Sequence, residues 1–345
     1  MSKRVVLVGL GATGLAMVRS LRQRTDVSIV GAADQNPAAA GADVGALAGG
    51  LDIGVPVAAD AADLPPADLA IVATTSDLNS VADTLVPLLE RSYNVMSICE
   101  ELAYPWLSHP DVARQLHATA LANGVTVVGT GANPGLLMDT LPLLLTGLTQ
   151  RAERVVIRRR TNMSRYGAIL SKFGIGLTPE QFADVQARGA IVGHYGFAQA
   201  IGAVASGLGW TLDTIDVGAV TPSVISDSVR HGDHLTIAPG QIAAVTHAAQ
   251  GVRADRTVID LEITFGFFEP SDSVAVGDDY LIEGIDQVIT LSSATGFESF
   301  LSTIAVAVNT ATAVIDAPAG LLSMGDLAPR ALASKGSRLR QEASQ

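Results

Sequence analysis

The apolar residues of the chain fall into short runs separated by stretches with a single apolar stripe. Val5–Val8, Val27–Ala33, Leu69–Ala73, Val95–Ile98 and Val125–Val128 are mostly apolar runs of strand length. Such runs suit strands covered on both faces in a parallel sheet. Between them, Leu15–Leu21, Asn79–Arg91 and Asp111–Asn123 carry helical spacing, the last closed by Gly124. A short strand is expected near Val55–Val57. The alternation predicts the α/β class, with a Rossmann doubly wound parallel sheet that binds ligands beyond the carboxyl ends of its strands.

From Glu153 the texture changes. Val155–Thr161, Asp213–Thr221, Gln241–Gly251, Thr257–Phe265 and Gln287–Leu291 look like longer strands, with helices near Pro179–Arg188 and Phe197–Leu208. An α+β second domain on an open, largely antiparallel or mixed sheet is predicted. Residues 1–139 are expected to bind a dinucleotide, rejoined by 299–330 through a helix over Ser299–Ile315. Residues 140–298 are expected to bind substrate and dimerise, and 331–345 form a polar tail.

The first strand ends in Gly9-Leu10-Gly11-Ala12-Thr13-Gly14, and Asp34 follows twenty residues after the third glycine. That spacing suits a dinucleotide: Gly9 for a tight turn, Gly11 for close approach to a pyrophosphate, Gly14 for helix-on-strand packing. The phosphates would rest on the free N–H groups of the helix N-terminus. Asp34 can accept from the ribose hydroxyls of NAD and would repel the 2′-phosphate of NADP. No Arg follows among Gln35-Asn36-Pro37, so NAD is expected, with NADP possible. The same Asp34 could instead simply begin a turn.

Other strand ends carry further candidates: Thr74-Thr75-Ser76, Cys99-Glu100-Glu101 and Gly131-Ala132-Asn133-Pro134-Gly135. A carboxylate at the end of a central strand lies where a nicotinamide would sit, and burial beside a second acid raises its pKa toward neutrality. Successive side chains diverge, so one of Glu100 and Glu101 faces the substrate and the other caps the following turn. Thr74, Thr75, Cys99, Asn133, Pro134 and Asn309 complete the expected cofactor contacts.

Composition narrows the partners. A net charge of −12 argues against nucleic acid, which needs clustered Lys and Arg. The one tight basic cluster, Arg158-Arg159-Arg160, reads as an exposed or edge-protecting stretch. Cys99 is the sole cysteine, so no internal disulfide forms. Polar breaks at Asn309 and Asp316 argue against a membrane span, and the glycine pattern argues against a signal peptide; a cytoplasmic protein is expected. Arg230-His231-Gly232-Asp233-His234 lacks a matching ligand cluster and reads as a loop, so no metal is expected.

Several segments resemble the native amine dehydrogenase and 2,4-diaminopentanoate dehydrogenase family, within the dihydrodipicolinate-reductase-like class. They are Cys99–Pro105, Gly129–Asp139 (GTGANPGLLMD), Gly174–Glu180 (GIGLTPE), Gly193-His194, Leu208-Gly209-Trp210, Pro239–Ile242 and Ala317–Asp326 (APAGLLSMGD). The resemblance implies a homodimeric NAD(P)-dependent enzyme that interconverts a small amine with its carbonyl compound and ammonia. It implies a strand-end glutamate that anchors the ammonium and shuttles protons. Alignment with the Glu-Lys-Pro motif of sugar-type dehydrogenases points to Glu101 for that role, with Glu100 second. The chain departs from the family at Ser293–Ser299 (SATGFES), where a Gly-Gly-x-His-Gly-Asp-like turn is expected.

Proximity to these motifs nominates Tyr104, Thr161, Asn162 and Arg165 for the substrate pocket, together with Tyr166, Phe173, His194 and Tyr195. Other readings are a dihydrodipicolinate reductase, an alcohol- or sugar-type dehydrogenase, and a dinucleotide sensor without turnover. The first lacks its His-His-x-x-Lys stretch here, and the second its catalytic lysine.

Overall fold

Short apolar runs without charge become strands where helices can cover them on both sides. The computed structural model describes residues 2–167 and 169–327. Strands β1 (Lys3–Val8), β2 (Val27–Ala33), β3 (Val57–Ala58), β4 (Leu69–Val72), β5 (Asn94–Ser97) and β6 (Thr126–Gly129) alternate with helices α1 (Ala12–Leu21), α2 (Val44–Leu47), α3 (Leu78–Glu90) and α4 (Pro110–Ala122). Next come α5 (Thr140–Thr146), β7 (Ala152–Asn162), α6 (Ile169–Phe173), α7 (Pro179–Ala187) and α8 (Phe197–Gly207). Strands β8 (Thr214–Val217), β9 (Thr221–Ile225), β10 (Arg230–His231), β11 (Thr236–Ile237), β12 (Ile242–Arg253), β13 (Arg256–Gly266), β14 (Gly277–Gly284) and β15 (Val288–Ser293) follow, then α9 (Ser299–Ile315) and β16 (Gly320–Leu322).

The first sheet runs β16-β6-β5-β4-β1-β2-β3, every neighbouring pair parallel. Alternation along β1 serves two layers. Val5 and Leu7 meet Met17 and Val18 of α1 and Ile304 and Ala307 of α9. Val6 and Val8 face the opposite layer, with Leu85 and Leu88 of α3 and Leu116 of α4. The chain therefore returns to its first sheet at the end: α9 covers one face and β16 pairs with β6. The tail expected over 331–345 lies outside the described residues.

The second sheet runs β15-β14-β7-β13-β12-β8, with β9 also on β12. It is mixed: β13 and β7 are parallel and the remaining pairs antiparallel. The strand expected over Asp213–Thr221 is divided into β8 and β9. Strand β14 carries no expectation from sequence, because Asp278, Asp279 and Glu283 break its apolar alternation. The acids are answered from β7. Arg159 meets Asp278 at 3.1 Å, both side chains 1% exposed, while Arg160 meets Asp279 at 2.6 Å. The edge reading of Arg158–Arg160 is thereby corrected: β7 lies between β14 and β13, and period two turns Arg159 inward. His231–His234 falls at the turn of the β10–β11 hairpin. Among the described residues no helix is long and apolar enough to cross a membrane.

Candidate active site

The site starts in the turn after β1. Gly9 adopts φ +89°, and a Cβ there would lie 2.5 Å from the Ala73 carbonyl oxygen. A Cβ on Gly14 would lie 2.0 Å from the Gly9 carbonyl oxygen, whereas nothing stands within 4 Å of one on Gly11. The outer glycines are thus required by backbone packing, and the middle one leaves the approach open. The first turn of α1 holds no acid and its N-cap, Gly11, offers no capping side chain, so the N–H groups there remain for an anion. Ala12 begins the helix, and Thr13 lines the inner cavity described below. The Asp34 carboxylate accepts from the Leu10 and Asn36 backbone N–H groups, which fixes the end of β2 against the glycine turn.

From this turn a groove of about 940 Å³ runs past Asp34, Gln35, Thr74 and Thr75 to Arg91. Arg91 lies over the Tyr93 ring and donates to the Ala61 and Leu64 carbonyls, which holds the groove's far wall. A second cavity of about 290 Å³ opens at the ends of β5 and β6. Glu100, Asn133, Pro134 and Thr130 line it from the first sheet's side, and Arg159, Tyr166, Phe173, His194 and Phe265 from the second's. Ser299, Phe300 and Thr303 of α9 complete the wall.

The neighbouring acids part company. Glu100 faces the cavity, half-buried, and burial raises its carboxyl pKa against a lowering hydrogen bond from Ser76. Glu101 turns to α3, accepting from the Leu78 N–H at 2.8 Å and lying 3.5 Å from His109 Nε2. Glu101, the first choice from sequence, thus sits at a helix N-terminus, and Glu100, the second, lines the cavity. Cys99 also differs from expectation. It is fully buried, its thiol donates to the Ser76 carbonyl, and burial pushes its pKa up to about 12. Asn309 lines neither cavity; Thr303 of the same helix does, and its hydroxyl accepts from the Ala132 N–H at 3.1 Å.

Of the nominated substrate residues, Tyr166, Phe173 and His194 meet in the cavity. Tyr104 packs beside Gly202 of α8, and Thr161 is buried within β7. Asn162 turns outward to accept from the Ser164 N–H, and Arg165 and Tyr195 are exposed. His194 accepts at Nε2 from the Asn133 amide and touches Phe197 edge-on. Burial drives its pKa down to about 3, so the ring is neutral. The Tyr166 hydroxyl is bound to Glu298, and burial with that carboxylate raises its pKa. Sequence reasoning missed Arg159, Thr130 and Phe265. The period-two pattern of β7 and β13 held the signal for Arg159 and Phe265, and the strand-end position held that for Thr130.

The cavity fits a nicotinamide on its own terms. The Asn133 Oδ1 atom is buried without a hydrogen-bond donor among the described residues, and the ring's carboxamide N–H group would satisfy it. The glycine cradle and Asp34 suit the remainder of the dinucleotide.

Comparison with known proteins agrees. Residues 136–342 match the 2,4-diaminopentanoate dehydrogenase C-terminal domain family. The chain is 30% identical over 335 residues to 2,4-diaminopentanoate dehydrogenase of Acetoanaerobium sticklandii, covering 95% of this chain and 94% of that one. An amine dehydrogenase structure from Mycobacterium smegmatis superposes with TM-score 0.81 at 27% identity, covering 97% of this chain and 98% of that one. A dihydrodipicolinate reductase of Paenisporosarcina sp. TG-14, 13% identical, shares the fold at TM-score 0.52 over 94% and 99% of the two chains. With the family match spanning more than half its length and the curated relative nearly all of it, the chain belongs to the 2,4-diaminopentanoate dehydrogenase family.

Proposed function

We propose that the protein is an NAD(P)-dependent oxidoreductase that interconverts a small amine with its ketone or aldehyde and ammonia, with Glu100 as the acid–base group. The observation that carries the role of Glu100 is elimination inside the cavity. Among the described residues four ionisable side chains line it. Arg159 is paired with Asp278, Tyr166 is tied to Glu298 with its pKa raised, and His194 is held neutral. Among these four, Glu100 is the one carboxyl group, and burial raises its pKa against a hydrogen bond from Ser76.

In the aminating direction, the Glu100 carboxylate takes a proton from ammonium, and the ammonia formed adds to the carbonyl carbon. The Glu100 carboxyl gives its proton to the resulting oxyanion and takes one back from the added nitrogen, leaving a neutral carbinolamine; it then protonates the hydroxyl group, which leaves as water and gives the iminium. When bound, the nicotinamide supplies the hydride that reduces that carbon. Met163, Ile169, Phe173, Phe265 and Phe300 supply the cavity's apolar wall. A cavity of this size suits a short-chain substrate.

Asp34 favours NAD over NADP, since its carboxylate would face a 2′-phosphate with no nearby Arg in the following turn. A cytoplasmic homodimer is the matching state. Val217 and Ile225 at one end of the second sheet, and Val288 and Leu291 at the other, are exposed apolar positions for a second copy to cover. The test is NADH oxidation with a panel of ketones and aldehydes, with and without excess ammonium at alkaline pH. Consumption that requires ammonium supports the reading. Consumption without it indicates an alcohol-type dehydrogenase, and tight NADH binding without consumption indicates a sensor.

A further inference from the structure

Thr130 is 2% exposed, and its hydroxyl oxygen has no hydrogen-bond partner among the described residues. A buried hydroxyl left unpaired costs stability, and the cost is recovered if a partner arrives with a ligand. Thr130 lines the same cavity as Glu100. The backbone ties the two segments together. The Thr130 N–H donates to the carbonyl of Ser97, the last residue of β5, at 2.8 Å. Just before it, a Cβ on Gly129 would lie 2.4 Å from the Ala103 nitrogen, so the Leu102–Ala103 end of the 3-10 turn Glu100–Ala103 packs on the Gly129 backbone.

We infer that Thr130 is the second ligand of the reacting nitrogen: its hydroxyl oxygen accepts one N–H of ammonium, or of the substrate amine, while the Glu100 carboxylate accepts another. The assignment rests on the amine-dehydrogenase reading above. Ammonium brings four N–H donors, and one carboxylate leaves most of them to other acceptors of the cavity. After Glu100 takes a proton, the hydroxyl still holds the neutral ammonia in place and donates its own O–H to the nitrogen lone pair or to a carbonyl oxygen as the geometry turns. Asn133, the other unpaired acceptor of the cavity, is spoken for by the carboxamide of the cofactor. Thr130 has no such claimant.

Thr130→Val and Thr130→Ser decide the matter. Steady-state amination is measured against ammonium and against the carbonyl substrate, beside NADH binding by fluorescence and the thermal midpoint. Thr130→Val is expected to raise the KM for ammonium about tenfold or more, the worth of a hydrogen bond to a charged group. The carbonyl KM and the NADH Kd should stay within about twofold, and the thermal midpoint should hold or rise, because Val fills the same space without a polar atom. Thr130→Ser should keep the wild-type ammonium KM. An unchanged ammonium KM in Thr130→Val overturns the assignment. So does a rise in NADH Kd with the ammonium KM unmoved, which would give the hydroxyl to the cofactor. If Thr130→Val lowers the thermal midpoint, Thr130→Ala against Thr130→Ser is read for the same split. A wild-type enzyme that turns over equally without ammonium removes the amine-dehydrogenase reading first, and this assignment with it.

Discussion

At the scale of single residues, charge and burial divide roles that sequence leaves together. Glu100 and Glu101 are adjacent and chemically identical, yet one meets a cavity and the other a helix end. Which of two neighbours faces inward depends on a 3-10 turn that no periodicity announces, so this assignment was not legible in the sequence. The glycine fingerprint and Asp34 were legible, because each answers a local backbone requirement. Asp34→Ala should weaken NAD binding and improve relative use of NADP, checked by the ratio of kcat/KM for the two cofactors. An unchanged ratio would separate Asp34 from the ribose. Glu100 has a further consequence for stability. Its folded pKa is raised, so the folded state favours the protonated form. The stability this gives is present below the unfolded carboxyl pKa and is lost as pH rises through the raised value. Glu100→Gln should therefore be at least as heat-stable as wild type at neutral pH, with the difference shrinking in acid. A thermal midpoint that falls at neutral pH would assign the carboxylate a structural role.

At the scale of elements, the parallel sheet was readable because its strands are apolar runs, whereas β14 was not. Its acids contribute through partners on β7, which sequence order hides. Arg159 and Asp278 are each 1% exposed, and Phe297 is held from both sides, its carbonyl accepting from Arg159 and its N–H donating to Asp278. The turn Ser293–Ser299, where the chain leaves its family's pattern, is thereby anchored to the cavity wall. Removing Asp278 leaves a buried guanidinium without its counter-charge, and Asp278→Ala should cost about 3–5 kcal/mol in urea unfolding. At the glycine turn, Gly14→Ala places a methyl group 2.0 Å from the Gly9 carbonyl oxygen. The shift of α1 this demands should weaken NADH binding more than the small side-chain change suggests, and fluorescence titration reads it directly.

At the scale of the whole molecule, the first sheet is completed by the far end of the chain. Helix α9 supplies Ile304, Ala307 and Val308 to the core beside β1, and Ser299, Phe300 and Thr303 to the cavity. The apolar stripe of α9 was visible in the sequence and its return to the first sheet was expected from it, through contacts almost three hundred residues apart. A chain ending at residue 298 should lose NADH binding and cooperative unfolding together. Both sheets then contribute to one cavity, with the Glu100 carboxylate within it. The most direct measurement is ammonium-dependent NADH oxidation by Glu100→Gln beside Glu101→Gln, with NADH binding recorded for each. Glu100→Gln should bind NADH normally and lose about a hundredfold or more in turnover, the worth of a positioned acid–base group, while Glu101→Gln retains most of it. The reverse pattern, a silent Glu100→Gln with a damaged Glu101→Gln that still folds, would contradict the account.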